Sequence, residues 1–259
     1  MSTSAQSALN RITVALKPPA ARIVLNNPPL NVIDVPMMDE LRAALEQVDA
    51  RPEISAIVFA GSEQAFSSGV DIAAHVPDRV RDMLTAFHSV IRWVVDSNKV
   101  TIASVRRHCL GGGAELALMC DVVYASPDSV WGFPEIKLAC YAPVASVALS
   151  AVVGQKLAAE LLLTGRTLSG QEALDAGLVN ALAEDPEVLV AECVQRVSQL
   201  SPAALALAKK AFYGWHALHF DKGLARAEQI YHDELMRTAD AQEGIAAFVE
   251  RRRPKWTGK

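Results

Sequence analysis

The chain has 259 residues, 51% hydrophobic and 21% charged, a composition that suits a globular protein with a sizeable core. Its net charge of −4 and pI near 5.9 give no electrostatic reason to bind nucleic acid or an anionic membrane. The cysteines, Cys109, Cys120, Cys140 and Cys193, have no CxxC spacing, which argues against a zinc knuckle or a redox dithiol.

The N-terminal stretch is polar (Ser2, Thr3, Ser4, Gln6, Ser7) and lacks the pattern of a signal peptide. No apolar run reaches the roughly 18 residues needed to span a bilayer, so the expectation is a reduced, cytoplasmic protein. Arg11–Leu16 and Ala21–Leu25 read as short strands forming a hairpin, and Asn27-Pro28-Pro29-Leu30-Asn31 as a turn. Residues 35–50 carry Met37, Met38, Leu41, Leu45 and Val48 at helical spacing. A buried strand is expected at 54–60 and an amphipathic helix at 80–96, with Met83, Leu84, Phe87, Ile91 and Val94 on one side. Strands follow at 100–105 and 122–125, with a helix starting at 116–119 between them.

Strand–helix alternation points to an α/β layered architecture. The second half reads helical, at 142–153, 156–163, 170–176, 188–200, 202–219, 224–236 and 241–251. Ser169 and Asp240 are expected as N-caps. The division is a core domain at 1–200 and a helical C-terminal subdomain at 201–259. Basic runs at Arg106-Arg107 and Arg251–Lys255 read as solvated faces or oligomer contacts.

Chemistry concentrates in four places. Phe66-Ser67-Ser68-Gly69-Val70-Asp71-Ile72 is a loop that permits close approach of a ligand to the backbone. Gly111-Gly112-Gly113, between a strand and a helix, offers bare N–H groups at a positive helix end, suited to a phosphate or a developing oxyanion. No Lys-Ser/Thr follows, so this is not a Walker A loop. Glu115 lies in an apolar helix start and Glu135 follows Pro134. Each glutamate alone has a plain structural explanation, as dipole complement or loop charge. Together, beside two backbone-donor loops, they are the equipment for stabilising an enolate while moving protons. His88, His216, His219 and His232 fall within helical patterns, and His108 lacks the partners of a triad or metal site.

These motifs resemble the enoyl-CoA hydratase/isomerase, or crotonase, superfamily. The resemblance runs from Arg22-Ile23-Val24-Leu25-Asn26 to the last helix. It rests on Phe-x-x-Gly-x-Asp-Ile at 66–72, Leu-Gly-Gly-Gly-x-Glu-Leu at 110–116, Cys-Asp-Val-Val-Tyr-Ala at 120–125 and Gly-x-Pro-Glu-Ile at 132–136. Leu163-x-Gly165 and Ala173-x-x-Ala176-Gly177-Leu178-Val179 complete it. It implies a spiral of ββα units with a C-terminal helical trimerisation region, and a homotrimer or a hexamer built as a dimer of trimers. It also implies an acyl-CoA thioester substrate, whose oxygen is held by the N–H groups of Val70 and Gly112. The CoA side would be lined by Ser68, Val70 and Ile72, and catalysis carried by Glu115 and Glu135 on a shared water. No cofactor beyond the CoA of the substrate, no metal, and no nucleic-acid or membrane partner is implied.

The sequence departs from the common hydratase pattern in two places. After Glu135 a glycine-rich helix entry gives way to Ala142-Pro143-Val144-Ala145-Ser146. That run resembles cyclohexa-1,5-diene-1-carboxyl-CoA hydratases of anaerobic benzoyl-CoA degradation. Such a substrate takes water across the ends of its conjugated system, a 1,4-addition giving 6-hydroxycyclohex-1-ene-1-carboxyl-CoA, with the thioester enolate still the electron sink. A flat ring then needs a suitable pocket, for which His75, Val76, Phe87, Trp131, Phe133, Cys140 and Tyr141 are candidates. The second departure is at Pro28-Pro29-Leu30-Asn31, where many relatives carry a CoA-contacting lysine. The alternatives are a general short-chain enoyl-CoA hydratase, an isomerase or ring hydrolase, and an RNA-binding homologue. The pair of glutamates weighs against the last two readings, and the acidic pI against RNA binding.

Overall fold

A computed structural model describes residues 11–76 and 78–259, apart from the side chains at 215–218. The polar N-terminal stretch and the His216 side chain therefore lie outside the described residues. The elements run β1 (Ile12–Lys17), β2 (Ala20–Leu25), α1 (Val35–Asp49), β3 (Ala56–Ala60), β4 (Ala65–Ser67), α2 (Val80–Asp96), β5 (Val100–Val105), β6 (His108–Leu110) and α3 (Gly112–Leu118). They continue with β7 (Val122–Ala125), β8 (Val130–Gly132), α4 (Pro143–Val153), α5 (Gln155–Thr164), β9 (Thr167–Ser169), α6 (Gly170–Asp175), β10 (Ala181–Leu182), α7 (Pro186–Ser198), α8 (Pro202–Asp233) and α9 (Ala239–Val249).

The strands form two sheets, ordered β1-β2-β3-β5-β7-β10 and β4-β6-β8-β9. β1 and β2 are the expected antiparallel hairpin, and β2, β3, β5, β7 and β10 are parallel. Three successive ββα units, β3-β4-α2, β5-β6-α3 and β7-β8-α4, each send their first strand to the large sheet and their second to the small one. This is the crotonase spiral. β4, β6 and β8 run parallel, so the chain leaves all three at one edge of the small sheet. Ligands favour the carboxyl ends of parallel strands, and the predicted chemistry-bearing segments all begin there.

The apolar stripes read from sequence face the core. Met37, Met38, Leu41 and Leu45 of α1 are buried, as are Met83, Leu84, Phe87, Ile91 and Val94 of α2. Pro36 lies in the first turn of α1, and the Asp34 side chain accepts from Met37 N–H. Ser169 caps α6 in a complete capping box with Glu172.

Three expectations are corrected. The helix expected to start at Leu116 starts at Gly112. The segments expected at 202–219 and 224–236 are one 32-residue helix, α8, followed by a 3₁₀ turn at Leu235–Arg237. Gly223 does not break α8: a Cβ there would lie 2.7 Å from Val147 Cγ1, so the glycine lets α8 close onto α4. The cap of α9 is Thr238, whose hydroxyl accepts from Ala241 N–H, while Asp240 accepts from the backbone N–H groups of Thr257 and Gly258.

Among the described residues, no helix is long and apolar enough to cross a membrane. The basic runs are met by acids: Arg106 pairs with Asp185, and Arg252 with Glu243 and Glu250.

Candidate active site

β4 delivers the chain into Ser68–Ile72. The loop is pinned from below by the Asn31 turn. Asn31 Nδ2 donates to the carbonyls of Ala65 (2.8 Å) and Phe66 (3.2 Å), and Ser67 Oγ donates to the Asn31 carbonyl (2.7 Å). Asn31 adopts φ 52°, a left-handed conformation that asparagine tolerates. Ile33 N–H bonds the Gly69 carbonyl and Asp71 N–H bonds the Ile33 carbonyl. That parallel bridge uses the groups on either side of Val70, so the Val70 N–H points the other way.

β6 delivers the glycine loop. Gly111 adopts φ 53° and its N–H bonds the Gly132 carbonyl, tying the loop to the end of β8. Gly112 is the first residue of α3, so its N–H has no intrahelical acceptor. A Cβ on Gly112 would lie 3.3 Å from Val70 N, so the two amides stand together. The geometry is that of a two-donor oxyanion site.

Glu115, in the first turn of α3, is 3% exposed. Its Oε1 accepts from the Ala145 N–H at 2.9 Å, in the first turn of α4. The departure at Ala142–Ser146 therefore lies at a helix start that receives a buried carboxylate. Glu135 sits on a 3₁₀ turn, Pro134–Leu138, at the end of β8. It reaches the glycine loop: a Cβ on Gly111 would lie 2.5 Å from Glu135 Oε1. Its other oxygen, Oε2, is buried with no hydrogen-bond partner among the described residues.

Burial pushes the pKa of Glu115 up to about 7, against the pull of the α4 N–H groups. Burial, then the charge of Glu115, pushes Glu135 up to about 8. Two carboxyls so coupled titrate as a pair and hold one proton between them near neutrality.

Both glutamates, with Ser68, Val70, Ile72, Gly111 and Gly112, line one cavity of about 460 Å³. The structure thus brings together every predicted site residue. Of the candidate ring-pocket residues, His75, Phe87, Cys140 and Tyr141 also line it. Val76, Trp131 and Phe133 do not: Val76 is 37% exposed, while Trp131 and Phe133 are core, with Trp131 Nε1 donating to Ser129 Oγ. Sequence reasoning missed Tyr231 of α8, Leu84, Ile245 and Lys137 as lining residues. Among the described residues Lys137 is the lysine or arginine of the lining, and Leu30 lines the cavity near the position of the absent lysine. The periodicity of α2 marked Leu84 as inward-facing; Tyr231 carried no local signal. Among the described residues, no cluster of His, Cys, Asp and Glu could hold a metal ion.

His88 is buried with Nδ1 2.6 Å from Glu228 Oε1 and Nε2 unpartnered among the described residues, so it is a half-satisfied core histidine. His219 is exposed and His232 half-buried.

The enoyl-CoA hydratase/isomerase family model matches residues 18–259. A cyclohexa-1,5-dienecarbonyl-CoA hydratase of Thauera aromatica is 34% identical over 92% of this chain and 93% of its own length. A probable enoyl-CoA hydratase of Rhizobium meliloti is 38% identical over 90% of this chain and 93% of its own. The crystal structure of an enoyl-CoA hydratase from Mycobacterium avium superimposes with a TM-score of 0.86 at 27% identity, covering 97% of this chain and all of that one. With the spiral, the paired amides and the paired glutamates all in place, this chain belongs to the enoyl-CoA hydratase/isomerase family.

Proposed function

We propose that the protein hydrates a conjugated cyclic dienoyl-CoA, cyclohexa-1,5-diene-1-carboxyl-CoA, using Glu115 and Glu135 as an acid–base pair. The observation that carries hydration is the burial of two carboxyls beside two backbone donors in one cavity.

The surroundings separate the roles of the glutamates. Glu115 has a donor, Ala145 N–H, and lies at the positive end of α4, both of which favour its charged form. Glu135 Oε2 has no donor and feels the charge of Glu115, so it retains the proton. Glu115 then takes a proton from water as oxygen bonds to the β-carbon. The electron pair moves to the thioester oxygen, held by Val70 and Gly112 N–H. Glu135 gives its proton to carbon, at the far end of the dienolate for the cyclic diene. Acid–base help of this kind contributes about 10²–10⁴-fold, and each oxyanion donor about 3–4 kcal/mol.

The ring substrate is supported by the aromatic walls Phe87, Tyr141 and Tyr231 and by the Thauera relative. A general short-chain enoyl-CoA hydratase is the second reading, favoured by the higher identity to the Rhizobium relative. Purified protein is offered cyclohexa-1,5-diene-1-carboxyl-CoA beside crotonyl-CoA, with loss of enoyl absorbance and product mass recorded. Gain of one water on the cyclic diene, with little on crotonyl-CoA, is expected. The reverse preference overturns the ring reading, and no hydration of either overturns both.

A further inference from the structure

The cavity holds one polar group that the acid–base pair and the oxyanion donors leave unused. Tyr231, in the last turn of α8, is 1% exposed, lines the cavity, and its hydroxyl has no hydrogen-bond partner among the described residues. A buried hydroxyl without a partner destabilises the fold, so such groups call for an explanation.

Its neighbour Tyr141 shows the contrast. The two rings meet edge-on at 5.1 Å, and the Tyr141 hydroxyl donates to the Ala227 carbonyl at 2.5 Å. Ala227 lies one helical turn before Tyr231. Tyr141 therefore spends its hydroxyl on docking α8, and that docking fixes where Tyr231 points.

On the other side the Tyr231 ring lies 6.4 Å from that of His75, whose Nδ1 is engaged by the Asp71 carbonyl at 2.9 Å. Tyr231 thus stands between the segment that follows Val70 and the segment that follows Glu135. The polar groups that act on its hydroxyl are the Cys140 thiol, a weak hydrogen-bonding group, the Glu135 carboxyl and the Tyr141 phenol. Burial holds the phenol well above its ordinary pKa, so it stays a neutral donor.

We propose that the Tyr231 hydroxyl is a substrate contact that hydrogen-bonds the oxygen added by hydration, as the attacking water is captured in the transition state and as the acyl group's new hydroxyl after it. The proposal rests on the hydratase reading. Tyr231 gives up no proton; it positions the oxygen on which Glu115 and Glu135 act. It also lets the site distinguish a hydroxyacyl thioester from the unsaturated one, because only the former brings an oxygen to the phenol.

The test is Tyr231→Phe, assayed by initial rates in both directions on whichever enoyl thioester the wild type hydrates and on its hydroxyacyl partner. Loss of one hydrogen bond corresponds to about tenfold. In hydration kcat falls about tenfold while KM for the enoyl thioester stays within about twofold. In dehydration KM for the hydroxyacyl thioester rises about tenfold while kcat changes little, as a fixed overall equilibrium requires. The free variant melts close to the wild type, since the protein offers the deleted hydroxyl only the weak Cys140 thiol.

Tyr141→Phe is the structural control: it loses the bond to Ala227 and lowers stability, with KM moving equally for both thioesters. Unchanged kinetics in Tyr231→Phe, or an equal rise in KM for both thioesters, overturns the proposal. If the wild type turns over neither crotonyl-CoA nor 3-hydroxybutyryl-CoA nor the cyclic pair, the hydratase reading fails separately. Crotonyl-CoA and 3-hydroxybutyryl-CoA are then stable ligands, and their dissociation constants in wild type and variant are compared by calorimetry. A weakening of about tenfold confined to 3-hydroxybutyryl-CoA still supports the Tyr231 contact. Equal effects on the two, or no binding of either by the wild type, overturn it.

Discussion

Replacing Glu135 by glutamine should stabilise the protein in a way that grows with pH. The Glu135 carboxyl moves from 4.5 to about 8 on folding, driven first by burial and then by the charge of Glu115. Between those values the folded state holds a proton that the unfolded state has released, so wild-type stability falls as pH rises. At pH 7 the gap above the unfolded pKa is about 2.5 units, and each unit corresponds to about 1.4 kcal/mol. The penalty is then about 3 kcal/mol, absent near pH 4 and levelling off above pH 8. Glutamine does not titrate, so Glu135→Gln escapes it. Any constant difference between buried amide and buried carboxyl shifts the offset and leaves the slope untouched. Urea unfolding of wild type and variant from pH 4.5 to 9 reads the difference directly. A chain this long unfolds with an entropy near 0.5 kcal/mol per degree, so the gain at pH 7 appears as roughly 6 °C in Tm. A stability difference that is flat across this range would refute the claim that Glu135 is a desolvated member of a proton-sharing pair.

Three further outcomes follow from the site and its supports. Glu115→Gln and Glu135→Gln should each fold, retain acyl-CoA binding and lose about 10²–10⁴-fold in kcat; wild-type-like turnover in either would sink the two-carboxylate mechanism. Gly112→Ala would place a methyl 2.5 Å from Val70 Cγ2 and 3.3 Å from Val70 N. It should lower kcat by about 10²–10³-fold through a displaced oxyanion donor, with thioester affinity, read by calorimetry, changing far less. Lys209 Nζ is 2.8 Å from Asp121 Oδ2 and also donates to the Lys99 and Val94 carbonyls, with its side chain 8% exposed. Lys209→Met should therefore cost about 3–5 kcal/mol in urea unfolding by leaving the Asp121 charge, still bonded to Thr101, without its cation, with kcat per folded molecule unchanged.

The large sheet was legible because its strands carry β-branched runs: Ala56–Ala60, Val100–Val105 and Val122–Ala125 are all buried or nearly so. The small sheet was not. β4, β6, β8 and β9 have three residues each, too few to display a period of two. Yet β4, β6 and β8 deliver the site. What sequence offered instead was the chemistry of the loops that follow them: glycines, a proline and two glutamates. In α8 the local signal misled. Gly223 disfavours a helix interior by about 1 kcal/mol, and packing on α4 overrides that preference. Tyr231 was invisible for a related reason. An aromatic near a helix end reads as core, and its unpaired hydroxyl is a fact of three-dimensional packing alone.

The asymmetry of the glutamates follows from how each is held. Glu115 is carried by α3 and met by the start of α4, so an element of regular structure supplies a donor to its charge. Glu135 is carried by a short 3₁₀ turn ending in Ala139 at φ 53°, and its outer oxygen is left without a donor. Under the proposed mechanism, had both been capped, both would ionise and the proton for carbon would be lost to solvent. Had neither been, both would be protonated and no base would remain. The run Ala142–Ser146, where this chain departs from the common glycine-rich pattern, supplies that one cap through a backbone N–H at Ala145. A backbone donor keeps its place whatever side chain is attached. The departure can therefore reshape the acyl pocket through Tyr141 and Ala142 while leaving the acid–base asymmetry intact.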